Sequence, residues 1–244
     1  MAWLAAAFFC IALLYASVGF GGGSSYAALL AFAQVDYRIL PLIALSCNIV
    51  VVAGSTVRFA RAGIVPWQRA LGLTIVAAPA ALLGGLTPID EATFLMMLGA
   101  SLVLTAFAMV WSVPKANGEP TCIARFAPFA AVPLGYLAGV LGIGGGIFLA
   151  PLLHLARWAN ARAIAPTASL FILVNSLFGL TGHIAKGGEG RFFAAFDLGL
   201  PLIIAVAIGG QLGSLLAIRF LPQHWIRTVT AVLIGAVGVR LLAM

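Results

Sequence analysis

Two glycine clusters interrupt this chain at matching places. The sequence GFGGG occupies residues 19–23, and GIGGG occupies residues 142–146, 123 positions later. Each cluster lies inside a long uncharged apolar stretch, residues 1–35 and 126–156. Glycine lets the backbone leave helical angles and lets another group approach closely. Paired breaks in apolar helices, at corresponding places in two halves of a chain, indicate a transport site.

The composition restricts the class of protein. Hydrophobic residues make up 63% of the chain and charged residues 8%, whereas a typical soluble domain carries about 25% charge. We therefore predict an all-α, polytopic membrane protein whose main surroundings are the lipid bilayer. The net charge of +7 comes from basic residues at the ends of apolar runs, where they orient a membrane protein. We therefore predict no nucleic-acid partner.

The apolar stretches divide into five segments in each half of the chain. The first repeat is predicted at residues 1–113, a polar linker at 114–123 and the second repeat at 124–244. A spanning helix needs about 20 residues, but the second segment of each half has about 11, roughly 16 Å of helix. Because each short segment follows a glycine cluster, the first two segments of each half are expected to form a broken helix or a re-entrant hairpin. The predicted segments are residues 2–18, 23–33, 39–60, 66–85 and 92–113, then 124–141, 145–155, 163–185, 196–220 and 226–242.

The two halves match beyond their glycine clusters, as expected for a duplication. Asn48 matches Asn175 in the third segments, and Gly84 matches Gly213 in the fourth. If both hairpins are re-entrant, the halves are inverted repeats, and nine basic residues lie on one face of the membrane and four on the other. In the alternative topology, each broken pair of segments crosses the membrane once, and the two faces carry eight and five basic residues. The nine, assigned to the cytoplasmic face, are Arg58, Arg61, Arg69, Lys115, Arg125, Arg157, Arg162, Arg219 and Arg227.

The inverted arrangement makes a prediction about the two glycine tips. Hairpins that enter from opposite faces bring their tips together near the middle of the membrane. The short helices that follow the tips then point their N-termini inward, and free N–H groups with the helix dipole favour an anion there.

The sequences around the glycine clusters resemble a known family. SVGFGGG at residues 17–23, GVLGIGGGIFLAP at residues 139–151 and APTAS at residues 165–169 are similar to the sulfite and organosulfonate exporters of the TauE/SafE type. The resemblance covers the whole chain, although Ser24, Ser25 and Tyr26 depart from the more apolar residues expected after the first cluster. It implies a multi-pass carrier for small sulfur-containing or related organic anions in the bacterial inner membrane.

Candidate site residues lie in the tips and in the third segments. Asn48 and Asn175 carry carboxamides within apolar segments, where such groups need partners; they contact either the substrate or the unwound backbone. Ser24 and Ser25 either bind the anion or cap the short helix, and the glycines either form the site or allow close packing. Hydroxyls such as those of Ser46, Ser176 and Thr181 are weaker candidates because they often bond to their own helix. The predicted substrate-binding set is Gly21, Gly22, Gly23, Ser24, Ser25, Asn48, Gly144, Gly145, Gly146, Ile147 and Asn175.

Few residues in the sequence indicate proton transfer, catalysis or metal binding. His183 is the candidate for proton handling, because imidazole titrates near neutrality; its alternative role is structural. All six acids fall at segment ends or in loops. The three cysteines have neither zinc-site nor disulfide spacing, and no hydrolase or nucleotide-binding motif occurs, so we predict neither enzyme activity nor a metal or other cofactor.

These observations lead to one functional hypothesis and two alternatives. The hypothesis is export of a small anion, sulfite or an organosulfonate, by alternating access between the two repeats. The alternatives are a passive anion channel and a membrane scaffold subunit whose glycines serve packing alone. A stretch of small residues, Gly209 to Gly213, would suit either a homodimer or internal packing.

Overall fold

The computed structural model describes residues 2–111, 122–159, 161–216 and 223–243. Every regular element within these ranges is a helix, which confirms the predicted all-α class. Most of the predicted linker lies outside the described residues, as does Arg219. The helices are α1 (Ala2–Val18), α2 (Gly23–Phe32), α3 (Leu40–Arg61), α4 (Trp67–Leu86), α5 (Glu91–Trp111), α6 (Cys122–Leu141), α7 (Gly146–Leu155), α8 (Ala161–Leu216) and α9 (Gln223–Leu242).

Helix lengths separate the membrane-spanning segments from the short ones. Within the described residues, five stretches are long and apolar enough to cross a bilayer. The two helices that follow the glycine clusters, α2 and α7, have 10 residues each, too few to span about 30 Å of hydrocarbon. The five candidate spans are Leu40–Arg61, Trp67–Leu86, Glu91–Ala108, Ala163–Gly188 and Gly190–Gly213.

Helix α8 corrects one prediction. Its 56 residues would reach roughly 84 Å if straight, but Gly188 has φ 69 and ψ 175 and breaks the helix into two arms. We expected a loop at residues 186–195, whereas both sides of Gly188 are helical. One glycine is sufficient for the turn because its backbone adopts positive φ without a steric penalty.

Each glycine cluster joins a long helix to a short one that folds back beside it. In the first hairpin, the rings of Phe8 on α1 and Tyr26 on α2 stack at 4.7 Å. A methyl group on Gly22 would lie 2.9 Å from Ile11. Position 22 therefore lies beside 11 and position 26 beside 8, so α2 runs antiparallel to α1.

The two halves pack into one another through small residues. Gly84 on α4 faces the backbone of Tyr136 on α6, and its match Gly213, on the second arm of α8, faces the backbone of Leu13 on α1. Leu13 and Tyr136 are themselves 123 positions apart, the spacing of the glycine clusters. Matching residues of the two halves therefore make matching contacts, each with the opposite half.

The fifth segments of the two halves contact each other reciprocally. A methyl group on Gly99 of α5 would lie 3.1 Å from the carbonyl oxygen of Gly238, and one on Gly238 of α9 would lie 2.9 Å from the carbonyl oxygen of Gly99. Gly209 likewise faces the backbone of Phe9. Helix α1 thus packs on the stretch from Gly209 to Gly213. This contact is internal packing, one of the two roles predicted for that stretch.

Candidate functional site

The glycine tips adopt a backbone that other residues rarely adopt. Gly19 and Gly22 have φ of 83 and 80, and Gly142, Gly144 and Gly145 have φ between 72 and 77. An L-residue in this left-handed region costs about 1–2 kcal/mol. The turns therefore require glycine for their conformation, and close packing alone does not account for the two clusters.

The two tips meet inside the protein. A methyl group on Gly23, the first residue of α2, would lie 2.7 Å from the carbonyl oxygen of Ile143 in the second tip. The side chain of Asn48 on α3 lies between the tips: methyl groups on Gly21 and Gly23 would collide with its Oδ1 and Nδ2, and one on Gly144 would lie 2.7 Å from Nδ2. One carboxamide thus contacts both hairpins.

The carboxamide of Asn48 is buried without a hydrogen-bond partner. The residue has 0% exposure. Its Oδ1 accepts no hydrogen bond and its Nδ2 donates none. Leaving such a group unpaired costs about 1–3 kcal/mol. A carboxamide offers two donors and an acceptor oxygen, so a ligand between the tips would satisfy it.

Further buried side chains have polar atoms without a hydrogen-bond partner; Ser24 and Ser176 lie at the tips, and Asn175 is next to Ser176 in the chain. Ser24, next to Gly23, has a buried hydroxyl with no partner. The Ser176 hydroxyl on α8 lies 2.9 Å from where a methyl group on Gly144 would be, and it too is buried and unpartnered. Asn175, its neighbour in the chain, has 0% exposure and an unpartnered carboxamide.

The hydroxyl of Ser176 differs from the prediction made for it. We expected its hydroxyl to bond to its own helix, as the hydroxyls of Ser46 and Thr181 do with the carbonyls of Leu42 (2.8 Å) and Phe178 (2.7 Å). Its position directly after Asn175 is the one signal in the sequence that points to it.

The other predicted site residues make packing contacts. The Ser25 hydroxyl shares a hydrogen bond of 2.9 Å with Tyr15 and ties α2 to α1. Methyl groups on Gly145 and Gly22 would lie 2.9 Å from Ala138 and Ile11. Gly146 packs on Ile172, and Ile147 is part of the apolar core.

Each tip is also anchored on the third helix of the opposite half. The Ser169 hydroxyl on α8 donates a hydrogen bond to the carbonyl oxygen of Gly19. In the second tip, a methyl group on Gly142 would lie 2.5 Å from the Cα of Pro41 on α3. The relative position of the tips is therefore coupled to α3 and to the first arm of α8.

His183 links two helices away from the tips. Its side chain is 5% exposed, and Nε2 lies 2.7 Å from the carbonyl oxygen of Gly139 on α6. Because a carbonyl only accepts, Nε2 carries a proton in this contact. The bond joins α8 to α6 and matches the structural alternative for this residue.

In the described part of the chain, the buried polar side chains carry no carboxylate, ammonium or guanidinium group. Among the described residues they are hydroxyls, two carboxamides and the His183 imidazole. Two half-buried cations, Arg58 and Lys186, donate to uncharged oxygens: Arg58 to Ser55 Oγ at 3.2 Å and Lys186 to the Thr87 carbonyl at 3.0 Å. Where the tips meet, the nearest polar groups are therefore uncharged: the Asn48 carboxamide, the Ser176 hydroxyl and the backbone of the tips.

Two glycine-tipped hairpins meet beside the unpartnered carboxamide of Asn48, a broken-helix arrangement that occurs in many membrane transporters. Comparison with known proteins gives the same class. The chain belongs to the sulfite exporter TauE/SafE family, whose family model matches residues 4–241.

Similar proteins are named as transporters. The probable membrane transporter protein y4hK of Sinorhizobium fredii is 34% identical over 98% of this chain and 97% of its own length. A probable membrane transporter protein of Methanocaldococcus jannaschii is 25% identical over 96% and 92%, and YunE of Bacillus subtilis is 23% identical over 81% of each chain. No solved structure gives a significant match.

Proposed function

We propose that this protein carries a small anion across the bacterial inner membrane, and that the anion binds where the two glycine tips meet. The observation that carries the proposal is the unpartnered Asn48 carboxamide between the tips. The first turns of α2 and α7 have N–H groups without an intrahelical acceptor, and a helix N-terminus favours negative charge. The lack of a buried carboxylate among the described residues favours an anion over a cation.

The two halves are proposed to act as inverted repeats that rock against each other. Two contacts support this proposal. Gly84 and Gly213 make matching contacts with the opposite half, and Gly99 and Gly238 contact each other reciprocally, as a two-fold relation between the halves would produce. Since each tip is anchored on the other half, a rotation of one half moves one hairpin away from Asn48 and opens one face at a time.

Arg58 and Lys186 are proposed to serve the two entrances. Arg58 follows Asn48 by ten residues on α3, and Lys186 follows Asn175 by eleven on α8, roughly 15 Å of helix in each case. Both are half-buried and lack a carboxylate partner among the described residues. An unpaired cation near a neutral site raises the local concentration of an anion.

Sulfite or an organosulfonate, moved outward, is the proposed substrate class. This class is that of the sulfite exporters for which the family is named, and it suits a site with several neutral donors, since sulfonate and sulfite oxygens accept multiple hydrogen bonds. We propose that His183 handles protons only in a conformation in which its hydrogen bond to the Gly139 carbonyl is broken.

The experiment is a thermal-shift screen of purified protein against sulfite, thiosulfate, sulfoacetate, taurine, sulfate and simple carboxylates. A ligand at 100 times its dissociation constant should stabilise the protein by about 2.7 kcal/mol. Asn48→Ala and Asn175→Ala should abolish the shift without loss of folded yield. Thr56→Val is the matched control: Thr56 is on α3, buried and unpartnered, but two turns from Asn48.

Each outcome separates the hypotheses. A selective shift that Thr56→Val retains and Asn48→Ala loses supports the site and names its substrate. Continuous ionic conductance in planar bilayers, without saturable exchange in vesicles, would assign the protein as a channel. No shift with any anion would favour the scaffold alternative.

A further inference from the structure

A cavity of about 390 Å³ is lined by residues outside both glycine tips and is not explained by transport through them. It opens between the first turns of α4 and α6 and the chain that follows α7. Its volume is near the lower end of ligand sites, about 300–1,000 Å³. The lining residues are Gln68, Arg69, Gly72, Leu73, Ala124, Pro128 and Trp158.

Two tryptophans indicate that the cavity lies at the level of the lipid headgroups. Trp158 lines it, and Trp67, beside Gln68 at the start of α4, is 45% exposed. Tryptophan is enriched at the membrane–water interface. Arg61 ends α3 at the same end of the bundle, as expected where a basic loop meets the headgroups.

The cavity has a positively charged side chain, Arg69, in its lining and exposed apolar side chains on the adjoining helices. Arg69 is exposed and has no carboxylate partner among the described residues. Phe129, next to the lining residue Pro128 on α6, is 75% exposed. Ile75, two turns after Gln68 on α4, is 65% exposed. A cation at the headgroup level beside exposed apolar side chains complements a molecule that has an anionic head and hydrocarbon chains.

We propose that this cavity binds the phosphate headgroup of an anionic phospholipid, with Arg69 and Gln68 as its hydrogen-bond donors. The acyl chains lie along the exposed apolar side chains of α4 and α6. Basic pockets between membrane helices bind such headgroups in this way. Since α4 packs on α6 and α6 leads to the second tip, a bound lipid would hold the base of that hairpin.

The test uses native mass spectrometry of the full-length protein with added phosphatidylglycerol or phosphatidylcholine. The wild type should retain one phosphatidylglycerol in preference to phosphatidylcholine. Arg69→Gln should weaken that binding about tenfold. Arg61→Gln, which removes an equal charge at the same end but outside the cavity, should leave it unchanged.

A second variant blocks the cavity without changing its charge. A methyl group on Gly72 would meet nothing within 4 Å, so position 72 has room for a larger side chain that extends into the mouth of the cavity. Gly72→Leu should also weaken phosphatidylglycerol binding about tenfold while the melting temperature is maintained. Equal retention by Arg69→Gln and wild type would overturn the proposal. Displacement of the lipid by millimolar inorganic phosphate would show that the site serves free phosphate, and would overturn the lipid assignment.

Discussion

Replacing Asn48 with valine is expected to stabilise the ligand-free protein and to abolish its function. In most buried positions the loss of a carboxamide destabilises a protein, because its hydrogen bonds are lost. Asn48 is different because its two polar atoms are buried and unpartnered, so the folded protein already bears the desolvation cost.

The magnitude follows from two opposing effects. Removing an unpartnered amide recovers about 1–3 kcal/mol, and a methyl-sized space left beside Gly21 and Gly23 costs about 1 kcal/mol. The net gain is about 1 kcal/mol, which corresponds to a rise of roughly 2–4 °C in melting temperature for a chain of this size. Valine is shorter than asparagine, so it does not overpack the glycines that face it.

The assay measures the melting temperature in detergent and substrate exchange in proteoliposomes. Asn48→Val should melt at or above the wild-type temperature, show no stabilisation by the anion that stabilises wild type, and give no exchange. A fall of several degrees together with normal exchange would refute the reasoning, because it would mean that Asn48 holds helices together and does not bind substrate.

Three further predictions concern single residues. Gly144→Ala should lower the melting temperature, because position 144 has φ 74 and a methyl group there would lie 2.7 Å from Asn48 Nδ2; Gly190→Ala, where nothing lies within 4 Å, is the tolerated control. His183→Leu should cost about 1–2 kcal/mol by loss of its interhelix hydrogen bond, and His183→Gln should restore part of it in the same melting assay. The backbone N–H and the hydroxyl of Thr93 hydrogen-bond to the Asp90 carboxylate and lower the pKa of Asp90. That stabilisation is present above the usual value of 3.8 and is lost as pH falls through the lowered pKa, so wild type and Asp90→Asn should differ in melting temperature at neutral pH and converge in acid.

Much of the fold could be predicted because glycine, charge and segment length act locally. The first predicted segment, residues 2–18, coincides with α1, and the bounds of α2 and α3 differ from the prediction by one residue. The stretch after Lys186 could not be predicted: its glycines and charges are typical of a loop, yet a single residue, Gly188, makes the turn. Local composition does not report how many residues a turn uses.

The candidate site could be predicted only in part, because residues that match between the halves do not make matching contacts at the glycine tips. Asn48 and Asn175 match in the sequence, but Asn48 contacts both tips, whereas in the other half Ser176 faces Gly144. Whether a hydroxyl bonds to its own helix depends on its side-chain rotamer and on the group opposite it, which only the packed structure defines. The unpartnered state of Ser176 therefore could not be derived from the sequence.

The exchange of packing partners between the halves affects how the protein is made. Leu13 on α1 receives its partner, Gly213, only after 200 further residues have been translated. At about 5–20 residues per second, α1 waits in the membrane for roughly 10–40 s with its packing face open. Lipid chains can cover that face during this time, since they are as apolar as the helix surface, but a ribosome that stalls before the second arm of α8 emerges would leave α1 without its partner.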